Sequence, residues 1–134
     1  MAKLNLSVVT PRGAVVDTTV EEVEMPGAFG EMGVLPEHQP GLIMLGGGLL
    51  TYSGGEGAGR VYVRGGVAEV GPTRVLILTD EACLPGEADR EAVEGILERS
   101  VAGLDVEGGV DETTSFRLNA DRAYAEAVLK SAGN

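Results

Sequence analysis

From Lys3 to Asp80 the chain alternates between apolar and polar positions, and beyond Asp89 apolar residues recur at helical spacing. Leu4, Leu6 and Val8 fall on one side of the first segment and Asn5 and Ser7 on the other, the period of a half-buried strand. The same reading predicts strands over Ala14–Val16, Val20–Met25, Met32–Leu35, Gly41–Leu45, Leu49–Ser53, Arg60–Arg64, Val67–Val70 and Arg74–Thr79. Val75-Leu76-Ile77-Leu78 does not alternate, which predicts a central strand buried on both faces. Pro11-Arg12-Gly13, Pro26-Gly27, Gly46-Gly47-Gly48, Gly65-Gly66 and Gly71-Pro72 mark breaks between strands. Short, closely spaced strands with such turns imply an antiparallel sandwich or flattened barrel.

After Leu84-Pro85-Gly86 the texture changes. Val93, Ile96, Leu97, Val101 and Leu104 share a helical stripe with Ser100, and Asp89 is placed to cap it. Glu91 and Glu94 lie near the positive end of the helix dipole and Arg99 towards the other end. Gly95 weakens this helix by about 1 kcal/mol relative to alanine. Asp105–Thr113 reads as a loop around Gly108-Gly109. Ser115 is the expected cap of a second helix, with a stripe of Phe116, Ala120, Ala123, Tyr124, Ala127 and Val128. Two such helices make an antiparallel hairpin. Alanine permits close approach but buries little area, so the hairpin is expected to be marginally stable alone, joined to the rest near the hinge Pro85-Gly86. The expected organisation is a β-sandwich over residues 1–84 and a helical hairpin over 85–134.

Composition narrows the functional classes. The chain has 134 residues, 43% of them hydrophobic, with 21 glycines and no tryptophan, so its core must be aliphatic. A formal charge of -11 disfavours nucleic acid and anionic lipid as partners. Cys83 is the only cysteine, which excludes an internal disulfide and a cysteine pair for zinc and leaves packing as its expected role. No stretch approaches the ~20 apolar residues of a membrane span. Met1-Ala2-Lys3 leads into a strand with no signal peptide, so a cytosolic or cytosol-facing chain is expected.

Catalytic chemistry finds no foothold. Gly54–Gly59 is glycine-rich but lacks the Gly-Lys-Ser/Thr ending of a phosphate loop, and its alternating flanks make it a hairpin tip. His38 is the only imidazole, so a His–His metal pair is excluded and a Ser/His/Asp triad would have to use it. No Gly-x-Ser-x-Gly elbow accompanies it. No catalytic, cofactor-binding or metal residue is assigned. The segment Gly30-Glu31-Met32-Gly33-Val34-Leu35-Pro36-Glu37-His38-Gln39-Pro40 instead predicts a stiff, shaped loop for display to a partner, because its prolines restrict the backbone.

That segment, followed by Val63-Arg64-Gly65-Gly66-Val67-Ala68-Glu69-Val70 and Val75-Leu76-Ile77-Leu78-Thr79-Asp80, resembles the epsilon subunits of the F-type ATP synthases. Leu6-Ser7-Val8-Val9-Thr10-Pro11 also fits, and the pieces cover most of the chain in order. The resemblance implies a ten-stranded antiparallel β-sandwich followed by a two-helix antiparallel hairpin. It implies a non-catalytic place in the central stalk, turning with the gamma subunit on the ring of c subunits and coupling proton flow to ATP synthesis. Glu31 matches the family glutamate that approaches the polar loops of the ring, and Gly33 and His38 are assigned to the same partner surface. It further implies a hairpin able to extend into the alpha/beta catalytic head and restrain hydrolysis. The setting implied is peripheral, on the cytoplasmic face of a bacterial inner membrane.

One family motif is broken. Some bacterial members bind ATP through Ile/Leu-Asp-x-x-Arg-Ala, whereas this chain reads Ala88-Asp89-Arg90-Glu91-Ala92-Val93. Asp89 matches, but Ala92 stands in place of the arginine and offers no guanidinium, and Arg90 points along a different helix face. ATP binding is therefore expected to be weak or absent, with no cofactor. Basic residues in the tail are mainly Arg99, Arg117, Arg122 and Lys130, which makes inhibition a weaker expectation than stalk assembly. The rival class is a free-standing β-sandwich interaction module with a helical cap, separated from the first by whether the chain co-purifies with a long coiled-coil gamma partner.

Overall fold

The computed structural model describes residues 2–132. Eight strands precede two helices: β1 (Leu4–Thr10), β2 (Gly13–Val20), β3 (Glu22–Gly27), β4 (Gly30–Val34), β5 (Gly41–Ser53), β6 (Gly59–Val70), β7 (Arg74–Leu78), β8 (Ala82–Cys83), α1 (Arg90–Leu104) and α2 (Glu112–Ala132). Hydrogen bonds join the strands in the order β2-β1-β7-β6-β5-β3-β4, with β8 against β6. The class is the expected one, strands first and a helical pair after.

The sheet folds over into two facing layers because β5 and β6 turn a corner. In β6 the core-facing residues are Val61 and Val63 before Gly65-Gly66, but Ala68 and Val70 after it. In β5 they change from Leu45 to Leu50 across Gly46-Gly47-Gly48. Each glycine run therefore moves the inward set from odd to even positions, as a strand must when it bends between packed layers. Gly65 and Gly66, at φ +79° and +118°, hold backbone angles that favour glycine. Gly46–Gly48 and Gly65-Gly66, read as gaps between strands, are corners within them. Counting each bent strand as two recovers the ten implied by the family resemblance.

Antiparallel pairing has one exception. β1 and β7 run parallel, with Leu6 beside Val75 and Val8 beside Ile77. A parallel pair needs a long connection, and β2–β6 supplies it. Pro26-Gly27 also lies inside β3, where the pairing with β5 shifts register between Glu24 and Gly27. A bulge is where a strand tolerates proline. β2 likewise runs on to Val20, beyond the short piece expected at Ala14–Val16.

Leu4, Leu6, Val8, Val23, Met25 and Ile77 are among the fully buried aliphatics of the sandwich core. A second cluster, Tyr62, Val93, Ile96, Tyr124, Ala125 and Val128, lies between the outside of the sheet and the helices. α2 packs on β5 and β6, and α1 packs on α2. The hairpin is therefore docked along a helix, a more extensive attachment than the few residues near Pro85-Gly86 that the sequence suggests. A Cβ at Gly47 would overlap the carbonyl of Ala120, so helix and strand backbones touch directly at that point.

The caps are half as expected. The Ala92 amide donates to Asp89 Oδ1 at 3.3 Å, so Asp89 caps α1. α2 starts earlier than Ser115: the Ser115 amide donates to the Asp111 carbonyl at 2.8 Å, placing Asp111 where a cap sits. In α1, Val93, Ile96 and Ser100 are buried but Val101 is 44% exposed, because α1 packs along one face only, against α2 and the edge of the second cluster at Tyr62. In α2, Ala125 is fully buried outside the predicted stripe, whereas Phe116 within it is 37% exposed.

Candidate partner interface

The segment at residues 30–40 divides into a strand and a loop. Gly30–Val34 forms β4, paired to β3 with Met25 opposite Met32 and Pro26 opposite Glu31. The hairpin tip is Ala28-Phe29. Glu31 and Gly33 are exposed on β4, and a Cβ at Gly33 would meet nothing within 4 Å. The loop then runs from Leu35 to Pro40. The Glu37 amide donates to the Pro72 carbonyl at 2.8 Å, with Glu37 at φ 73°, an uncommon angle for a residue with a side chain. His38 is half-buried, and its Nδ1 lies 2.7 Å from the Gln39 carbonyl, an acceptor to which it donates. Its amide donates to the Leu35 carbonyl at 3.3 Å.

Glu31 and His38 therefore do not share one patch. Glu31 and Leu35 are four positions apart along extended chain, roughly 13 Å. Glu31 belongs to the hairpin tip with Phe29; His38 belongs to the far end, where the loop is tied to the turn at Pro72.

Two features were missed in the sequence. Phe29, at the tip, is fully exposed. The second is an apolar row on the outer face of the sheet. Cross-strand pairing sets Met44 beside Val67, Val67 beside Leu78, and Leu78 beside Val9, a line four strands wide. Met44 is 56% exposed, Val67 39% and Leu78 49%, and Leu42, two residues from Met44 on the same face, is 74% exposed. This corrects the expectation for Val75–Leu78: Val75 and Ile77 are buried, but Leu76 is half-buried and Leu78 is open. The run is apolar on both faces, and among the described residues no element covers the outer one at Leu78. The signal available in the sequence was that surplus of apolar residues at outward positions.

At the start of α1, Asp89 and Ala92 line an open groove of about 580 Å³ with Arg64, Glu81, Glu91, Gly95, Ile96 and Arg99. Arg64 is engaged there: its Nε donates to Asp121 Oδ1 at 2.7 Å and its Nη1 to Glu81 Oε1 at 3.5 Å. The hydrogen bond to Asp121 raises its pKa further, so it stays charged. Burial raises the pKa of Tyr124, whose hydroxyl lies 3.4 Å from Glu81 Oε2, and of Cys83. A thiol held protonated by burial has little nucleophilic character. Among the described residues no three potential metal ligands converge.

Residues 3–85 match the family described as ATP synthase, Delta/Epsilon chain, beta-sandwich domain. The chain belongs to that family. An ATP synthase epsilon chain of Moorella thermoacetica is 39% identical over 141 residues, covering 99% of this chain and 98% of the relative. One of Solibacter usitatus is 42% identical over 130 residues, covering 95% and 97%. One of Granulibacter bethesdensis is 41% identical over 83 residues, 61% of this chain and 62% of that one. Among solved structures, the Euglena gracilis mitochondrial ATP synthase, described as OSCP/F1/c-ring, contains a chain similar at TM-score 0.69 and 25% identity, covering 100% of this chain and 83% of that chain. The central stalk and c-ring of the Tetrahymena thermophila enzyme holds a similar fold at TM-score 0.61 and 15% identity. As an epsilon-family member the chain is a rotor subunit of the synthase, without a catalytic site of its own.

Proposed function

We propose that this epsilon-family chain grips the gamma subunit through the apolar row Met44–Val67–Leu78 and presents the β3–β4 tip to the c-ring. The row supports the first contact. An exposed apolar line rimmed by polar residues, on a chain carrying -11 charges, suits burial against a partner. The flat outer face of four strands fits the apolar stripe of a long helix, and Leu42 extends the face towards the Leu35–Pro40 loop. Glu31 and Phe29 project together at the tip, where a carboxylate and an aromatic ring can meet the polar loops of the c subunits. Gly33 lets a partner approach the β4 backbone, and His38 shapes the loop through its bond to Gln39.

Replacing Met44 and Leu78 together with aspartate tests the assignment. Burying such side chains is worth about 1.5–3 kcal/mol each, so gamma affinity should fall at least about 100-fold. The far-ultraviolet spectrum should not change, because both positions are exposed. Co-purification with gamma at wild-type affinity would overturn the interface.

The sandwich over 1–84 serves as the stalk unit, and the hairpin over 85–134 as a regulatory element able to reach the alpha/beta head. Among the described residues no helix is long and apolar enough to cross a membrane. We place the subunit on the cytoplasmic face of a bacterial inner membrane through its partners.

Nucleotide is not the regulator in this reading. The groove at Asp89 and Ala92 carries Glu81 and Glu91, and Arg64 there is already paired. The carboxylates oppose a polyphosphate, and with Arg64 engaged by Glu81 and Asp121 the groove has Arg99 left to offset their charge. Millimolar ATP should leave the circular dichroism and amide exchange of the isolated chain unchanged; a shifted spectrum with a slower-exchanging hairpin would refute this.

A further inference from the structure

The docked face of α2 presents a physical problem. At Ala120 it is lined by small groups, with Gly47 beneath its carbonyl and Gly65 beside its methyl. Ala123 and Ala127 follow at helical spacing of three and four residues, so small residues alone do not fix one position of the helix along the sheet. A chain of polar side chains running from the sandwich to the helix does. Arg64 on β6 binds Asp121 on α2 at 2.7 Å and Glu81 at 3.5 Å. Glu81 in turn accepts from the hydroxyl of Tyr124, one helical turn after Asp121, at 3.4 Å. The Arg64 amide also donates to the Glu81 carbonyl at 3.0 Å, so the two sandwich members are tied to each other. The Asp121 side chain is only 15% exposed and that of Arg64 27%.

We infer that Arg64, Glu81, Asp121 and Tyr124 form the latch that holds the helical hairpin in register on the sandwich, in place of a bound nucleotide. A half-buried ion pair contributes little net stability compared with apolar packing, but a wrong pairing is costly. A helix shifted by one turn would leave Asp121 without its guanidinium and Arg64 facing Glu81 alone. Arg64 is the keystone, because it separates two carboxylates. Without it Glu81 and Asp121 confront each other across the interface and repel the helix they otherwise hold. The inference rests on the regulatory reading only for its consequence in the synthase; the latch itself is a property of the chain.

The test is amide hydrogen exchange on the full chain, read separately over residues 112–132 and over β1–β7. Arg64→Gln should accelerate exchange in α2 at least tenfold while the sandwich amides stay within twofold of wild type. The charge reversal Arg64→Asp with Asp121→Arg should recover most of the protection lost in Arg64→Asp alone. Unchanged α2 exchange in Arg64→Gln would overturn the latch, and so would a charge reversal with no recovery, which would leave apolar packing as the sole clamp. ATP hydrolysis by the assembled synthase carrying Arg64→Gln distinguishes the two claims. A loosened hairpin with unaltered hydrolysis supports the latch and defeats the regulatory reading; loosened exchange with altered hydrolysis supports both.

Discussion

Gly47→Val is expected to lift α2 from the sandwich while leaving the sandwich folded. The backbone angle at Gly47 lies outside the region reserved for glycine, so the cost is purely steric. Its Cβ would enter the carbonyl of Ala120 and stand 2.8 Å from the amide nitrogen of Tyr124. Those are helix backbone atoms, which cannot rotate aside as a side chain can, so either the helix or the strand must move. β5 is held by pairing along both edges, to β3 and β6. α2 is held by a face of alanines, the apolar contacts around Tyr124 and Val128, and the polar chain through Arg64, so the helix moves. Overpacking of this kind costs about 1–3 kcal/mol, a factor of roughly 5 to 150 in the ratio of docked to undocked helix. Amide exchange should rise over residues 112–132 and not over β1–β7. A variant that keeps α2 protected but melts its sandwich early would show that the strand, not the helix, had yielded.

Leu6→Ala should behave in the opposite way and unfold the entire chain more easily. Leu6 is fully buried in β1, opposite Thr18 of β2 and beside Val75 of β7, and no flexible element adjoins the space its side chain would vacate. Losing a buried leucine costs about 2–5 kcal/mol, a large share of the ~5–15 kcal/mol that stabilises a typical domain. The midpoint of denaturant unfolding should fall with little change in slope, and helix signal should be lost with strand signal, because α2 has no surface to dock on once β5 and β6 separate. A loss under about 1 kcal/mol would mean that the core repacks around the alanine.

These outcomes differ because the two interfaces were unequally legible. β1 announces itself through Leu4, Leu6 and Val8, and the cap at Asp89 follows from one side chain and its neighbours. Alternation fails at the corners. Gly46–Gly48 and Gly65-Gly66 interrupt the pattern as a loop would, yet the hydrogen-bonded ladder resumes beyond them with the opposite parity. The proposed partner surface is half visible in the sequence. The residues at 30–40 stand out by their glycines and prolines and read as one surface holding Glu31, Gly33 and His38, but Glu31 lies on β4 near the hairpin tip while His38 lies in the loop beyond the other end of that strand. Phe29 and Met44 carry no local mark, since a solitary large apolar residue is usually core.

The sequence by itself determined the elements, their order, the aliphatic core and the helical pair, because periodicity and turn chemistry act between residues a few positions apart. Tertiary structure alone decided which outer faces are covered and which are open. It laid α2 over Gly47 and Tyr62, left Met44, Val67 and Leu78 bare, and brought Arg64 to Asp121 across 57 positions of sequence. Alternation says that a strand has two unlike faces. What lies against the second one depends on how distant segments pack, and no local spacing encodes that.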